Sequence, residues 1–385
     1  MRQKRLPPGF RDEFGEEAQK KAALSHSLAK CFFERGYTKI NTPLIEYKNI
    51  FDDYDLAVQQ RMYEVVDSSQ ERLVIRPDLT LPIARFLANI QVNLPKKFYY
   101  TGDVFAMNQA HRGWANQVTQ AGIELVGYAS EKAELECLLI INQVKRLWLN
   151  NQLYVELSDA RFAETVVDAL GLTAAERTEL FEALFNKNLP VYERLIEAYT
   201  ENTLYSLLKI WPRLFGSIEE VQQELDAIIL PMSAQRLVNG VMQMAQAVQK
   251  LSSQKVRIDF SSPAPQPYYT GLTFRGYIDG VASYIVSGGR YDKLLANFQK
   301  EPTPAVGMGF DLDVLASVAD ITLPQAKPSY VYIGEDAWDV VADYVLAHPT
   351  YSLVLADTLA EAREQAAADG AILYVVTEEG VKADA

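Results

Sequence analysis

The residues PYYTGLTFRGYIDGVASYIVSGGRYDKL (267–294) carry the clearest signal of secondary structure in this sequence. Two runs rich in β-branched and aromatic residues lie on either side of Asp279–Gly280, and an Asp-Gly pair is a strong signal for a β-hairpin. The second run ends at Gly288 and Gly289, and RYDKLLANF then leads into a short helical turn. The stretch predicts two antiparallel strands. It leaves three interpretations of the glycine pair open: a phosphate cradle, a floor for a small substrate, or a tight turn.

The segments on either side predict more strands of the same sheet. KKFYYTGDVFAM (96–107) and NQVTQAGIELVGY (116–128) predict an antiparallel pair joined by the turn HRGWA (111–115). No G-x-G-x-x-G or Walker A sequence leads from a strand into a helix, so a helix-N-terminal phosphate cradle is disfavoured. The other predicted strands are TKINTPLIEY (38–47, with an edge or bend at Pro43), the start of ERLVIRPDLTLPIARFLAN (71–89), KVRIDFSS (255–262) and the start of AVGMGFDLDVL (305–315).

Helical segments divide the chain into two predicted domains, 1–323 and 324–385. One long amphipathic helix is predicted near the start of the chain, and another directly after the strand at 116–128. Residues of about 160–250 predict a helical insertion outside the sheet. Capping boxes mark helix starts at Thr173, Ser217 and Thr358. After a linker at 324–328, strands and helices alternate, which predicts a small three-strand parallel α/β unit. The expected fold class is α+β, an antiparallel sheet flanked by helices.

The composition disfavours several classes of protein. The 385 residues carry a formal net charge of −13, which repels nucleic acid. No apolar run reaches the ~18 residues of a membrane span, so a cytoplasmic protein is expected. Two cysteines and three scattered histidines show no metal-ligand spacing, and no metal or cofactor is expected, although carboxylate sites for magnesium leave no signature. The acidic excess is greatest from Pro324 onward, where eleven Asp and Glu face three Lys and Arg.

Taken together, six stretches resemble the histidyl-tRNA synthetases over residues of about 1–320. These are class II synthetases, whose active site lies on an antiparallel sheet, and the motifs are specific as a set. The stretches are INTPLIEY, IRPDLT, YYTGDVFAMNQ with HRGWANQVTQAGIELVG, PYYTGLTF, SGGRYDKL and AVGMGFDLDVL. The resemblance implies a class II synthetase-like core with a helical insertion and a small C-terminal α/β unit.

The positions that handle ATP in that family differ here. Where the synthetases have an arginine and, two residues later, a glutamate in the second class-defining motif, this chain has Ala106 and Asn108. The arginine that packs on ATP corresponds to Val314, and the one that assists adenylate formation corresponds to Ala264. Preorganised cations are the largest stabilising contribution in such a site. The resemblance therefore implies that adenylation is lost. Asp311 adds a negative charge close in sequence to Val314, the position of the arginine that packs on ATP.

The positions that hold the amino acid in that family are kept. By the resemblance, Asp78, Thr80 and Gln120 hold the α-ammonium of histidine, and Glu124 and Tyr268 engage its imidazole. Carboxylate and hydroxyl acceptors suit an ammonium, and an imidazole suits one acceptor with one hydroxyl partner. Tyr269 is then expected to line the pocket, and Gly288 and Gly289 are expected to form its floor, where a side chain would collide with the ligand.

A kept histidine pocket without ATP chemistry resembles the regulatory subunits of ATP phosphoribosyltransferase. That family is non-catalytic and associates with the short catalytic subunit, four of each in a hetero-octamer, in the first step of histidine biosynthesis. The resemblance implies that the chain is required for activity of the complex and contributes to feedback inhibition by histidine. It also implies a self-dimer through the motif around Thr42–Glu46. An acidic C-terminal unit is not expected to bind tRNA.

Three alternatives remain open. One is a histidyl-tRNA synthetase with an aberrant site, and another is a ligase that activates a different amino acid. The third is a stand-alone histidine sensor with some other partner.

Overall fold

A computed structural model describes residues 5–52, 54, 56–66, 71–90, 92–107, 115–253, 255–298, 301–323, 327–334, 337–377 and 379–384. The chain forms two compact units, Met1–Ile321 and Thr322–Ala385. Asn108 and most of the predicted turn at 111–115 lie outside the described residues, as does much of the predicted linker at 324–328.

The first unit is built on a mixed sheet that has nine strands within the described residues, in the order β1-β5-β6-β12-β11-β10-β7-β9-β8. The pairs from β5 through β7 are antiparallel, whereas β1 pairs with β5, and β7 with β9, in parallel. A small separate sheet has the order β2-β4-β3. The strands are β1 (Thr38–Lys39), β2 (Ile45–Tyr47), β3 (Tyr63–Val65), β4 (Leu73–Ile75), β5 (Lys96–Phe105), β6 (Gln117–Val126), β7 (Tyr154–Asp159), β8 (Phe215–Gly216), β9 (Lys255–Asp259), β10 (Leu272–Tyr277), β11 (Val286–Arg290) and β12 (Ala305–Asp311).

Helices flank this sheet, and the predicted antiparallel core with flanking helices is confirmed. The capping boxes predicted at Thr173 and Ser217 are both formed, with Glu176 and Glu220 as their partners. The α-helices are α1 (Gly15–Glu34), α2 (Leu56–Gln59), α3 (Thr80–Asn89), α4 (Lys132–Trp148), α5 (Phe162–Leu170), α6 (Ala174–Phe185), α7 (Leu189–Ile196), α8 (Tyr205–Ile210), α9 (Ile218–Asp226), α10 (Met232–Ser252) and α11 (Leu312–Val318). Short 3-10 helices span Lys48–Phe51, Glu197–Tyr199, Trp211–Arg213 and Leu294–Asn297.

Each face of the sheet has its own buried cluster. One face packs against α1, α4 and the insertion helices through residues such as Ile123, Phe274 and Met308. The other face packs against α3 through residues such as Phe98, Tyr100 and Tyr291. Because side chains alternate along a strand, neighbouring residues of β6 and β12 belong to different clusters.

The structure corrects several predicted strands. TKINTPLIEY is two short strands in different sheets, broken around Pro43, which has no N–H to donate to a ladder. Along GVASYIV, β11 begins only at Val286, after an eight-residue loop. The insertion is not purely helical, because Phe215–Gly216 pairs with β9 at the edge of the sheet. The sequence reading also missed β7, Tyr154–Asp159.

The second unit is a four-stranded sheet within its described residues, in the order β14-β13-β15-β16. The predicted parallel pairing of β13 with β14 and β15 is found, but the three-strand prediction is wrong because β16 adds an antiparallel strand beside β15. The capping box at Thr358 is formed with Glu361. The elements are β13 (Ser329–Ile333), α12 (Trp338–Ala347), β14 (Tyr351–Leu353), α13 (Leu359–Asp369), β15 (Ile372–Thr377) and β16 (Gly380–Asp384). Across the described part of the chain, no helix has the length and apolar character needed to span a membrane.

Candidate ligand-binding site

The site lies on the face of the sheet that packs against α3. Glu124 on β6 is in register with Gly307 on β12, which in turn faces Gly289 on β11. A Cβ at Gly307 would lie 1.6 Å from Glu124 Oε2, so only glycine leaves room for the carboxyl group there. The strands therefore offer a floor poor in side chains, from which Glu124 projects.

Glu124 is held by two hydroxyl groups. Its side chain is buried, and Oε1 accepts a hydrogen bond of 2.9 Å from Thr80 Oγ1 at the start of α3. Oε2 accepts a hydrogen bond from the Tyr291 hydroxyl. Burial raises the pKa of Glu124 to about 8, with a smaller contribution from the charge of Asp78, while the two hydrogen bonds oppose the rise. Near neutral pH this carboxyl group can carry a proton and so can both donate to and accept from a ligand.

Asp78 lies just before α3 and has one unused oxygen. Its Oδ1 accepts a hydrogen bond of 3.0 Å from the Leu81 amide. Its Oδ2 is buried and, among the described residues, accepts no hydrogen bond. Burial raises the pKa of Asp78 to about 7. A buried acceptor without a partner is costly, and a cationic group such as an ammonium would satisfy it.

Aromatic rings form one wall of the site. Tyr268 stacks on Tyr54 with ring centroids 6.1 Å apart, and it meets Tyr269 and Tyr291 edge-on at 5.0 and 5.8 Å. Burial raises the pKa of Tyr268 and Tyr269 well above the usual value, so both phenols stay neutral. Gly289 supports this wall, because a Cβ there would approach the Tyr269 ring to 3.0 Å.

Gly288 does not serve the site as expected, and the structure corrects that prediction. It faces the opposite side of the sheet, where a Cβ would lie 2.5 Å from the Phe274 ring and 2.4 Å from the Gly307 carbonyl oxygen. Packing within the sheet, not a ligand, therefore requires this glycine. Even at Gly289, the close neighbours are the Tyr269 ring and the Leu272 carbonyl group.

The other predicted residues lie at the same face. Gln120 is on β6 in register with Gly102 and Asp311, four residues along the strand from Glu124. Asp78, Thr80, Gln120, Glu124, Tyr268 and Tyr269 thus come from β6, the start of α3 and the segment before β10.

Sequence reasoning missed Tyr291, Tyr54 and Gly307. Tyr291 lies within SGGRYDKL, two residues after Gly289, and strand alternation would have put it on the same face. Glycines at both 307 and 309 of β12 were a further signal, since alternate glycines leave one face of a strand bare. Tyr54 had no local signal, because its contact with Tyr268 is purely tertiary.

Three of the positions at which the synthetases handle ATP are described by the structure, and none of the three has a side chain that could bind phosphate. Ala106 uses its amide to donate to the Asn116 carbonyl oxygen, and Ala264 lies in the loop before Tyr268. Val314 packs against the buried cluster on the α1 and α4 side. Asp311 lies on the ligand face beside Gln120, and burial raises its pKa to about 6.

Two arginines that are close in sequence to the substituted positions, Arg275 and Arg290, contact other parts of the protein. Arg290 pairs with Glu134, and Arg275 donates to the Pro263 carbonyl oxygen and lies 3.6 Å from Glu156. The third, Arg112, is outside the described residues. Arg11 and Lys21 instead bind Asp313, at 2.9 and 2.6 Å.

Known proteins resemble this chain over most of its length. A family model described as histidyl-tRNA synthetase matches residues 9–315. The chain is 42% identical to an ATP phosphoribosyltransferase regulatory subunit of Limosilactobacillus fermentum, over the whole of both chains. It is 44% identical to the protein of the same name from Lactiplantibacillus plantarum, over 94% of each chain.

Solved structures share the fold. A Bacillus halodurans chain described as an ATP phosphoribosyltransferase regulatory subunit/histidyl-tRNA synthetase aligns with a TM-score of 0.78 at 24% identity, over 94% of this chain and 96% of that one. A histidyl-tRNA synthetase from Nostoc sp. aligns with a TM-score of 0.71 at 18% identity, over 98% and 92% of the two chains. The chain therefore belongs to the family of ATP phosphoribosyltransferase regulatory subunits, on a class II histidyl-tRNA synthetase-like fold.

Proposed function

We propose that this chain binds histidine and acts as a non-catalytic regulatory subunit of ATP phosphoribosyltransferase in the first step of histidine biosynthesis. The observation that carries the proposal is the proximity of the Asp78 and Glu124 carboxyl groups, since Asp78 lies two residues before Thr80, which bonds to Glu124. Glu124 is fixed by two hydroxyl groups beside an aromatic wall, and Asp78 has a buried oxygen that none of the described residues contacts by a hydrogen bond. This arrangement suits a ligand with a polar ring at one end and an ammonium at the other.

The lack of cations at the nucleotide positions supports a non-catalytic role. Removing one preorganised donor from a charged transition state typically costs about 3 kcal/mol or more. Ala106, Ala264 and Val314 each lack such a donor, and Asp311 adds an acidic group beside Gln120. We infer that adenylation of an amino acid is abolished, whereas the amino-acid pocket is retained.

The proposed partner is the short-form catalytic subunit of ATP phosphoribosyltransferase, in a hetero-octamer of four subunits of each type. The regulatory subunit is proposed to be required for catalysis and to contribute to feedback inhibition by histidine. A self-dimer is proposed through the segment around Thr42–Glu46. Leu44, Ile45 and Tyr47 are all exposed there, while Glu46 is buried and paired with Arg85.

The decisive experiment mixes this chain with the short-form catalytic subunit from the same cell and measures phosphoribosyl-ATP formation with and without histidine. Activation by the mixture, reversed by histidine, is the expected result. Absence of both activation and co-elution would exclude the proposed partner. Histidine-dependent exchange between ATP and pyrophosphate should be undetectable, and its presence would favour an active synthetase.

A further inference from the structure

A buried ion pair lies behind the ligand site. Arg290, the last residue of β11, donates to Glu134 in the first turn of α4 through two parallel hydrogen bonds, Nε to Oε1 at 2.6 Å and Nη2 to Oε2 at 2.7 Å. The two side chains are 11% and 3% exposed. Such bidentate, charge-assisted pairs fix the geometry of both partners.

The remaining N–H groups of the same guanidinium are also used. Nη1 donates to the Tyr128 carbonyl oxygen at 3.2 Å and to Asp292 Oδ1 at 3.1 Å, and Nη2 donates to the Ser130 carbonyl oxygen at 3.4 Å. With the two bonds to Glu134, these contacts account for the five N–H groups of an arginine. Arg290 therefore joins the end of β11 to α4 and to the loop that precedes it.

The backbone around Arg290 connects this cluster to the aromatic wall. Its carbonyl oxygen accepts a hydrogen bond of 2.7 Å from the Thr270 amide, and Thr270 Oγ1 accepts one of 2.9 Å from the Asp292 amide. Thr270 directly follows Tyr269, and Tyr291 directly follows Arg290. The absence of a side chain at Gly271 permits this close approach, since a Cβ there would be 3.0 Å from Arg290 Cβ.

We propose that Arg290, held by Glu134, is the positioning residue of the ligand site. It fixes Tyr291 so that its hydroxyl group reaches Glu124, and through Thr270 it fixes Tyr268 and Tyr269 over the same carboxyl group. Arg290 acts through these residues, with its side chain on the far side of the strand from Gly289 and the ligand face. The identity of the ligand rests on the proposed function, whereas the positioning is a property of the free chain.

The test compares Arg290→Lys with Arg35→Lys. Lysine keeps the charge but has only three N–H donors and no planar fork, so it cannot replace the five hydrogen bonds of Arg290. Arg35 is a matched control, because it makes the same bidentate pair with Glu136 on the same helix, at 3.1 and 2.7 Å, but joins α4 to the end of α1.

Three quantities are measured on each full-length variant: the dissociation constant for histidine by calorimetry, the free energy of unfolding, and amide hydrogen exchange of the ligand-free protein. Arg290→Lys should weaken histidine binding by about tenfold or more. It should also accelerate exchange in peptides that contain Thr270 and Asp292. Arg35→Lys should leave both unchanged, whatever it does to unfolding.

Unchanged exchange in Arg290→Lys would overturn the proposal, and so would equal effects of the two variants, because stability alone would then explain them. If the wild-type chain binds no histidine, the proposed function fails, and the exchange measurement still decides the positioning role.

If Arg290→Lys does not fold, the isosteric Glu134→Gln removes the charge of the partner and keeps one acceptor. It should accelerate exchange at the same two amides, and unchanged exchange would again overturn the proposal.

Discussion

Thr80 Oγ1 donates a hydrogen bond of 2.9 Å to Glu124 Oε1, joining the first residue of α3 to the C-terminal part of β6. Asp78, two residues before Thr80, lies near Glu124, and its buried Oδ2 accepts no hydrogen bond within the part of the chain that the structure describes. One short segment therefore orients the group assigned to the imidazole and supplies the group assigned to the ammonium. This arrangement allows the two ends of the ligand to be tested separately.

Asp78→Asn should weaken binding of histidine and histamine by about tenfold or more, because each loses a charge-assisted bond to its ammonium group. Binding of imidazole itself, which has no ammonium group, should change little. Thr80→Val should instead weaken all three ligands, since it frees Glu124. Calorimetric titration with the three ligands checks this, and a uniform loss for Asp78→Asn would contradict the assignment.

Glu124 should make the ligand-free protein less stable as the pH rises. Its folded pKa of about 8 lies above the usual value near 4.5, so between these values the folded state binds more protons than the unfolded state. Stability is then fully present below pH 4.5 and falls toward pH 8, by at most about 1.4 kcal/mol per pH unit from this group. Asp78, with a pKa raised to about 7, adds a fall of the same sign.

Urea denaturation at several pH values from 5 to 8.5 measures this dependence. Glu124→Gln cannot ionise and should flatten the curve, leaving mainly the contribution of Asp78. A curve with the same slope in wild type and in Glu124→Gln would show that Glu124 is ionised in the folded protein.

Gly307→Ala should abolish ligand binding while Gly309→Ala should not. A methyl group at 307 would lie 1.6 Å from Glu124 Oε2, so the Glu124 carboxyl group must then leave Tyr291 and Thr80, its two hydroxyl partners. At 309 the nearest atom is the Tyr100 hydroxyl at 3.3 Å, which a small shift accommodates. Histidine titration of both variants provides the comparison, and retained affinity in Gly307→Ala would remove Glu124 from the site.

Local patterns predicted the order of strands and helices well, because hydrophobic alternation and capping boxes act over a few residues. The three predicted capping boxes are all formed. Local patterns could not predict which face of the sheet each glycine lies on. They also could not predict which groups each arginine or lysine side chain contacts. Gly288 and Gly289 are adjacent in sequence, yet only register decides which one lies on the ligand face. Likewise, Arg290 and Glu134 are 156 residues apart, and no local signal connects them.

Asp313→Asn should loosen the N-terminal segment from the sheet. Asp313 accepts from Lys21 Nζ at 2.6 Å, from Arg11 Nη2 at 2.9 Å and from the Thr119 amide at 2.9 Å. The amide variant would leave Lys21, which is largely buried, without its full charge partner, and should reduce the free energy of unfolding by about 1–3 kcal/mol at neutral pH.

The stability that Asp313 contributes should depend on pH in a definite direction. Burial alone would raise the pKa of Asp313, but the hydrogen bond and charge of Lys21, with the Thr119 amide, hold it below the usual value. Its stabilisation is therefore present above pH 4 and lost as the pH falls through the lowered pKa, where wild type and Asp313→Asn should converge. Glu17→Gln is the control, since Glu17 contacts Arg11 at 3.3 Å but is mostly exposed, and should change stability little. Equal losses of unfolding free energy in the two variants would mean that general surface charge, and not the contacts of Asp313, holds the N-terminal segment to the sheet.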